Sequence, residues 1–283
     1  MKSKKPTYSI SPQACRTEAA SALRGHWAQA LFVTFLLTFI MLLPSSALIL
    51  TLSSVSSARV SYYGIYEALR FYLKIFGYIA LSSLVTFLLS PIQIIAQNRL
   101  SVHLLFDKPI DLPSISATRR EWFLSLRVLF LKYVHSAWPL FAGCAAFFLL
   151  SRSFPLPRAA QIAAGIFTSA LAVWALIRYV SCTPAQHFIF LFPEDNARTL
   201  LKNSRRFMKG YTKDLFRLLL SFLVPFLIFA FLPVLLVFLP VGLIPPLILP
   251  VAICAAGILL TLPVIVYAGV SIAVFILHLP VDR

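Results

Sequence analysis

Residues 218–281 read LLLSFLVPFLIFAFLPVLLVFLPVGLIPPLILPVAICAAGILLTLPVIVYAGVSIAVFILHLPV, without one Asp, Glu, Lys or Arg. No soluble core needs an uninterrupted apolar run of that length. A helix crosses the hydrocarbon of a bilayer with about 20 mostly apolar residues, so this stretch is too long for one crossing and suits two. Pro240-Val241-Gly242-Leu243-Ile244-Pro245-Pro246 sits in its middle and favours a turn. The reading is a fifth span over Leu218–Leu239, an outside hairpin, and a sixth span over Leu247–Leu277.

The rest of the chain agrees. Of 283 residues, 60% are hydrophobic and 12% charged, and the mean hydropathy is +0.88. Soluble domains run at roughly 45–50% and about 25%, and disorder needs the opposite bias. Working back towards the N-terminus, further spans are expected at Ala159 through Trp174 and beyond, Val128–Leu150, Phe71–Ala96 and Trp27–Leu52. A cleaved signal peptide is the rival for the first, with Ser56-Ser57-Ala58 as a mimic of its cleavage site. The apolar stretch is too long and starts too late for that, and a retained span is expected. The fold class is therefore an all-α polytopic membrane protein of about six transmembrane helices. Residues 1–26 form a cytoplasmic amphipathic segment, and 27–283 a single six-helix domain.

Charge orients it. The net charge is +16, from 25 Lys+Arg against 9 Asp+Glu. Cytoplasmic loops concentrate Lys and Arg. With the N-terminus inside, 20 of the 25 cations fall in cytoplasmic segments, leaving only Arg59, Arg70, Lys74, Arg152 and Arg158 outside. That bias predicts both termini in the cytoplasm, and it explains the basicity without a nucleic-acid partner. Tyr62, Tyr63 and Tyr66 are expected in an outer aromatic belt, with Trp27, Trp122 and Tyr211 at the inner one.

Eight of the inner cations cluster between the fourth and fifth spans. Ala197, Leu200, Leu201, Ser204, Phe207, Met208 and Tyr211 recur at helical spacing, while Arg198, Lys202, Arg205, Arg206 and Lys209 take the remaining surface. A basic amphipathic connection over 195–213 follows, capped by Asp195 or Asn196 and ended near Gly210. It is expected to lie in the cytoplasmic headgroup layer, apolar face down, with those five cations as contacts for anionic lipid. Plain topological anchoring is the alternative. Ser11-Pro12 reads as the start of a second surface helix whose Ala19, Ala22 and Leu23 lead towards Trp27. Thr118-Arg119-Arg120-Glu121 fits a capping box. Ala160, Ala164, Thr168 and Ala172 repeat every four residues as a packing stripe.

Chemistry is scarce. All nine acids lie outside the six apolar cores, which argues against a proton-driven pump or an intramembrane aspartyl protease. No nucleotide-binding, hydrolase or metalloprotease motif occurs, and Cys15, Cys144, Cys182 and Cys254 lack the spacing of a metal or disulfide framework. No catalytic residue, metal or cofactor is expected. Lys132, His135, Arg178 and His187 share an approximate depth near the cytoplasmic side and are expected to line a polar pocket for an anionic headgroup or solute. Pro184 is expected to break the long apolar reach from Ala159 to Phe192. Arg178 is then either an intramembrane cation or a marker of the interface.

Two segments carry a resemblance. Ala22-Leu23-Arg24-Gly25-His26-Trp27 leads into the first span; Ser204-Arg205-Arg206-Phe207-Met208-Lys209-Gly210 precedes Leu215-Phe216-Arg217-Leu218 and Ser221-Phe222. Together, with Gly25, Trp27, Ser204, Met208, Lys209, Gly210, Phe216, Ser221 and Phe222 as motif residues, they resemble the bacterial integral membrane proteins grouped as domain of unknown function 975. The resemblance implies a multi-pass protein of the bacterial cytoplasmic (inner) membrane with no assigned activity. The functional expectation is a non-enzymatic protein acting through anionic lipid, a membrane-protein partner or a second copy of itself. A small transporter for an anionic or amphipathic solute is the alternative.

Overall fold

The computed structural model describes residues 10–56, 65–153, 158–232 and 248–279, and among these the secondary structure is entirely helical. Three of the described helical segments, Leu73–Leu105, Ala163–Leu191 and Ala256–Leu277, are long and apolar enough to cross a membrane. A fourth joins them if Pro12–Leu23 and Trp27–Leu42 count as one bent span. They mark the chain as a membrane protein. The expected hairpin at 240–246, Tyr62, Tyr63, Arg59 and the terminal Lys2, Lys4, Lys5 and Arg283 lie outside the described residues.

Among the described residues the helices follow in order: α1 (Pro12–Leu23), α2 (Trp27–Ser56), α3 (Ile65–Leu105), α4 (Leu112–Ile115), α5 (Arg119–Ser153), α6 (Arg158–Ser181), α7 (Ala185–Leu191), α8 (Ala197–Phe207), α9 (Thr212–Phe231) and α10 (Ile248–Leu277). Successive helices pack in three pairs, α2 on α3, α5 on α6 and α9 on α10. Helix α10 occupies the middle, touching α1, α2, α3 and α9. Its Val270, Ser271, Val274 and Phe275 are essentially solvent-free. Ser271 satisfies its hydroxyl on the Tyr267 carbonyl at 2.8 Å, so one helix tolerates a polar side chain in an apolar centre.

Pro12 occupies the first turn of α1, where its missing N–H costs nothing. Cys15, Ala19 and Leu23, four apart, form the buried face that α1 lays on α10. Burial, with the Glu18 carboxylate second, pushes the Cys15 thiol up to about 11. Arg24, Gly25 and His26 then turn the chain through 99° into α2. Gly25 makes that turn at φ +89°, a left-handed conformation that side chains resist. The expected cap at Ser11 is present as extended backbone, but its hydroxyl makes no capping bond.

Helix α3 has 41 residues, and at 1.5 Å per residue it is about 60 Å long, twice the hydrocarbon thickness. Its C-terminal end therefore continues past the span expected at Phe71–Ala96, and carries Arg99 to a junction with α4 and α5. There the Thr118–Glu121 capping box forms as expected. The Thr118 N–H donates to Glu121 Oε2 at 2.9 Å, and the Glu121 N–H donates back to Thr118 Oγ1 at 3.3 Å. Glu121 Oε1 also accepts from Arg99 at 2.6 Å, with both side chains about four-fifths buried. One carboxylate thus starts α5 and fastens it to α3.

The packing stripe on α6 is only partly used: Ala164 and Thr168 are half-buried, whereas Ala172 is exposed. The close approach of α5 to α6 depends on Gly143. A methyl group there would overlap the Leu171 side chain.

Candidate functional site

The functional candidates gather where α7 and α8 close over the ends of α5 and α6. As expected, Pro184 interrupts the apolar reach: α6 stops at Ser181, Cys182-Thr183-Pro184 form a turn, and α7 restarts at Ala185. Beyond the turn α7 packs on α5 and α8.

Helix α8 is amphipathic, and its apolar face meets protein. Ala197, Leu200, Leu201, Ser204 and Met208 are buried against α5 and α7, instead of lying on lipid as the periodicity alone suggested. Phe188 at the centre of α7 meets Phe207 edge-on at 5.5 Å. Ser204 donates to the Ser181 carbonyl at 2.9 Å, satisfying an acceptor freed where α6 ends. Gly210, at φ +104°, supports the turn that ends α8. Asn196 takes the N-cap position without a side-chain capping bond. Arg198, Lys202, Arg205, Arg206 and Lys209 are all exposed. Among the described residues, only Arg205 of these five reaches a side chain of another helix: its Nη1 donates to His135 Nε2 at 2.5 Å. That bond requires a neutral His135 carrying its proton on Nδ1.

Below this basic lid lie the four expected pocket residues. Lys132 is 4% exposed. Its ammonium sits 3.7 Å from the centroid of the Tyr179 ring and donates to Thr183 Oγ1 at 3.4 Å. Among the described residues no carboxylate lies in ion-pair range of it. His187 faces the same region from α7, and its buried Nδ1 has no hydrogen-bond partner. His135 belongs to the rim through Arg205. Arg178 is half-buried, its guanidinium stacked on Trp174 one turn back, 3.9 Å from the ring, and within electrostatic range of His135. The structure therefore joins Lys132 and His187, attaches His135 to α8, and holds Arg178 in an aromatic stack within electrostatic range of His135.

Sequence reasoning missed several groups that complete the site. Tyr179 and Thr183 receive the lysine. Ser125 and Gln186 form a buried reciprocal pair, with Ser125 Oγ donating to Gln186 Oε1 at 2.8 Å and Gln186 Nε2 donating to the Ser125 carbonyl at 3.3 Å. Gln186 was findable, since an amide two residues beyond a proline in an apolar run demands a partner. Tyr179 carried no such signal.

Several of the motif residues make turns or packing contacts. Gly25 and Gly210 make turns, Met208 is core, and Ser221 returns its hydroxyl to the Leu218 carbonyl. Phe222 packs edge-on against Tyr267 at 5.3 Å. Trp27, Ser221 and Phe222, distant in sequence, line one groove of about 470 Å³ with Arg16 and Tyr267. Phe216 is exposed beside a second groove, between α6 and α9. No group of three or more His, Cys, Asp or Glu able to hold a metal occurs among the described residues. The chemistry available is cationic and hydroxylic, suited to holding an anion. No family model, curated protein or solved structure matches this chain.

Proposed function

We propose that this chain is a six-span bacterial inner-membrane protein, with both termini in the cytoplasm, that works without catalysis through its basic cytoplasmic face. Anionic lipid headgroups are the primary partner. A membrane protein or a second copy could use the same face, and kinship with domain of unknown function 975 belongs to this proposal. One observation carries it: α8 buries its apolar side on α5 and α7 and so holds five exposed cations on a fixed platform. A loop anchored only for topology would not need that packing. Each cation near an anionic surface is worth about 1 kcal/mol, so a rigid row is a strong electrostatic ligand.

Two experiments test it. Cysteines placed at Lys202 and Gly242 should label from opposite sides of the membrane; labelling from one side ends the six-span topology. Protein in nanodiscs containing phosphatidylglycerol should order that lipid around it, and R198A/K202A/R206A/K209A should lose the effect without losing the fold. Unchanged lipid order would remove the reading.

The alternative, a small transporter for an anionic solute, draws support from Lys132, a buried ammonium with no carboxylate in range. Anion flux into liposomes that disappears in Lys132→Met would favour it over the first reading.

A further inference from the structure

Helices α6 and α9 diverge at the end where α8 joins α9, and leave an elongated groove of about 550 Å³. One wall is the side of α6 carrying Val173, Leu176, Ile177 and Val180. The other is the first turns of α9, with Phe216 along the wall and Lys213 and Arg217 at the mouth. Val173, Leu176, Ile177 and Phe216 are 58%, 48%, 50% and 39% exposed, so the groove opens sideways to the surroundings of the bundle. Lys213 is exposed as well, and the Arg217 side chain is 73% exposed. Asp214 forms a long i,i+3 ion pair with Arg217 at 4.0 Å, which partly offsets that cation, whereas Lys213 has no ion-pair partner among the described residues.

We infer that this groove holds one anionic phospholipid, an acyl chain along α6 and its phosphate between Lys213 and Arg217. The inference rests on the membrane-embedded, basic-face reading above and extends it from a diffuse headgroup layer to a single site. Charge complementarity selects the occupant. The two cations lie one turn apart on the α9 wall and the α6 wall is wholly apolar, and a molecule with one anionic end and a long hydrocarbon chain matches that division. A transmembrane helix of a partner would present no charge at that depth, and a soluble anion would leave the wall of α6 unused. The size lies within the range of single small-molecule sites.

The test is native mass spectrometry of the full chain released from detergent, titrated with dioleoyl phosphatidylglycerol or dioleoyl phosphatidylcholine. One phosphatidylglycerol should be retained at concentrations where phosphatidylcholine is not. K213Q/R217Q should weaken it by on the order of tenfold or more, from the loss of two cations near a phosphate. Ile177→Trp, which fills the apolar wall and leaves both cations, should also expel the lipid; melting temperatures of both variants check folding. R198A/K202A/R206A should leave the single retained lipid in place. Equal retention of the two lipids, or no change in K213Q/R217Q, overturns the groove while leaving the α8 reading intact. Loss of the retained lipid only in the α8 variant assigns binding to α8 and likewise overturns it. Displacement of the lipid by millimolar inorganic phosphate would show that the headgroup alone is recognised and would overturn the acyl-chain assignment.

Discussion

Helices α10 and α6 are composed of much the same residues and live in different surroundings. In the most apolar stretch of Ala256–Leu277 in α10, 44% of residues are buried by protein, against 11% in the most apolar stretch of Ala163–Leu191. Yet α10 has no charged residue, and α6 exposes Ile166, Phe167, Val173, Leu176 and Ile177. Lipid is as apolar as a leucine side chain, so hydropathy reports compatibility with oil, whether that oil is lipid or protein. What separates the two helices is small polar detail. Helix α10 turns Gly269 towards α3, where Ser101 lies close, and buries Ser271 completely. Helix α6 meets α5 at Leu171 and again in its last turns, where Tyr179 and Ser181 meet α5 and α8.

The contrast can be broken by substitution. Phe275→Ala in α10 should destabilise the detergent-solubilised protein by about 3–5 kcal/mol, as for other fully buried aromatics, whereas Ile166→Ala in α6 should stay within about 0.5 kcal/mol. Thermal unfolding of the two variants side by side measures it, and equal losses would mean α6 is buried by a partner. Next in size, Arg99→Ala strands the Glu121 carboxylate at the α3–α5 junction and should cost about 2 kcal/mol, between the values for exposed and buried pairs. Glu121→Ala should cost somewhat more, since it removes a cap as well. The loss should be steeper in Glu121→Ala by the same unfolding measurement. Gly25→Ala strains a left-handed turn that has free space around it, and should cost about 1 kcal/mol by strain alone. The smallest expected effect is on stability in Lys132→Met. Exchanging a buried ammonium without a carboxylate for an apolar chain of similar length should leave the melting temperature unchanged or raise it. A marked fall would mean that the Tyr179 and Thr183 contacts hold the α5–α6 junction together.

Much of this architecture was legible before any coordinates. Long apolar runs, the Pro184 break, the capping box at Thr118 and the turn at Gly210 each rest on interactions within a few residues, so spacing alone reveals them. The two faces of α8 were legible for the same reason. Where its apolar face goes was not, because Leu200 and Met208 would be equally content on lipid or on Phe188. The pocket was half legible. Lys132, His135 and His187 were conspicuous as polar residues in an apolar run, but their partners Tyr179, Thr183 and Arg205 lie 47, 51 and 70 positions from the residues they touch or nearby on the same site. Depth along the helix placed Arg178 near His135, but its direction around the helix, onto the Trp174 ring, was not readable.

By itself the amino-acid sequence determined the solvent of this protein, the helical answer to it and the clustering of its positive charge. These follow from composition and from the need of every backbone N–H and C=O in oil to find a partner inside its own segment. Which helix became the centre, which amphipathic face met protein, and which cations closed over a buried lysine were decided only by the tertiary structure. Those choices turn on shape and on single hydrogen bonds between distant segments, because in lipid an apolar surface gains little from hydrophobicity by choosing one apolar neighbour over another.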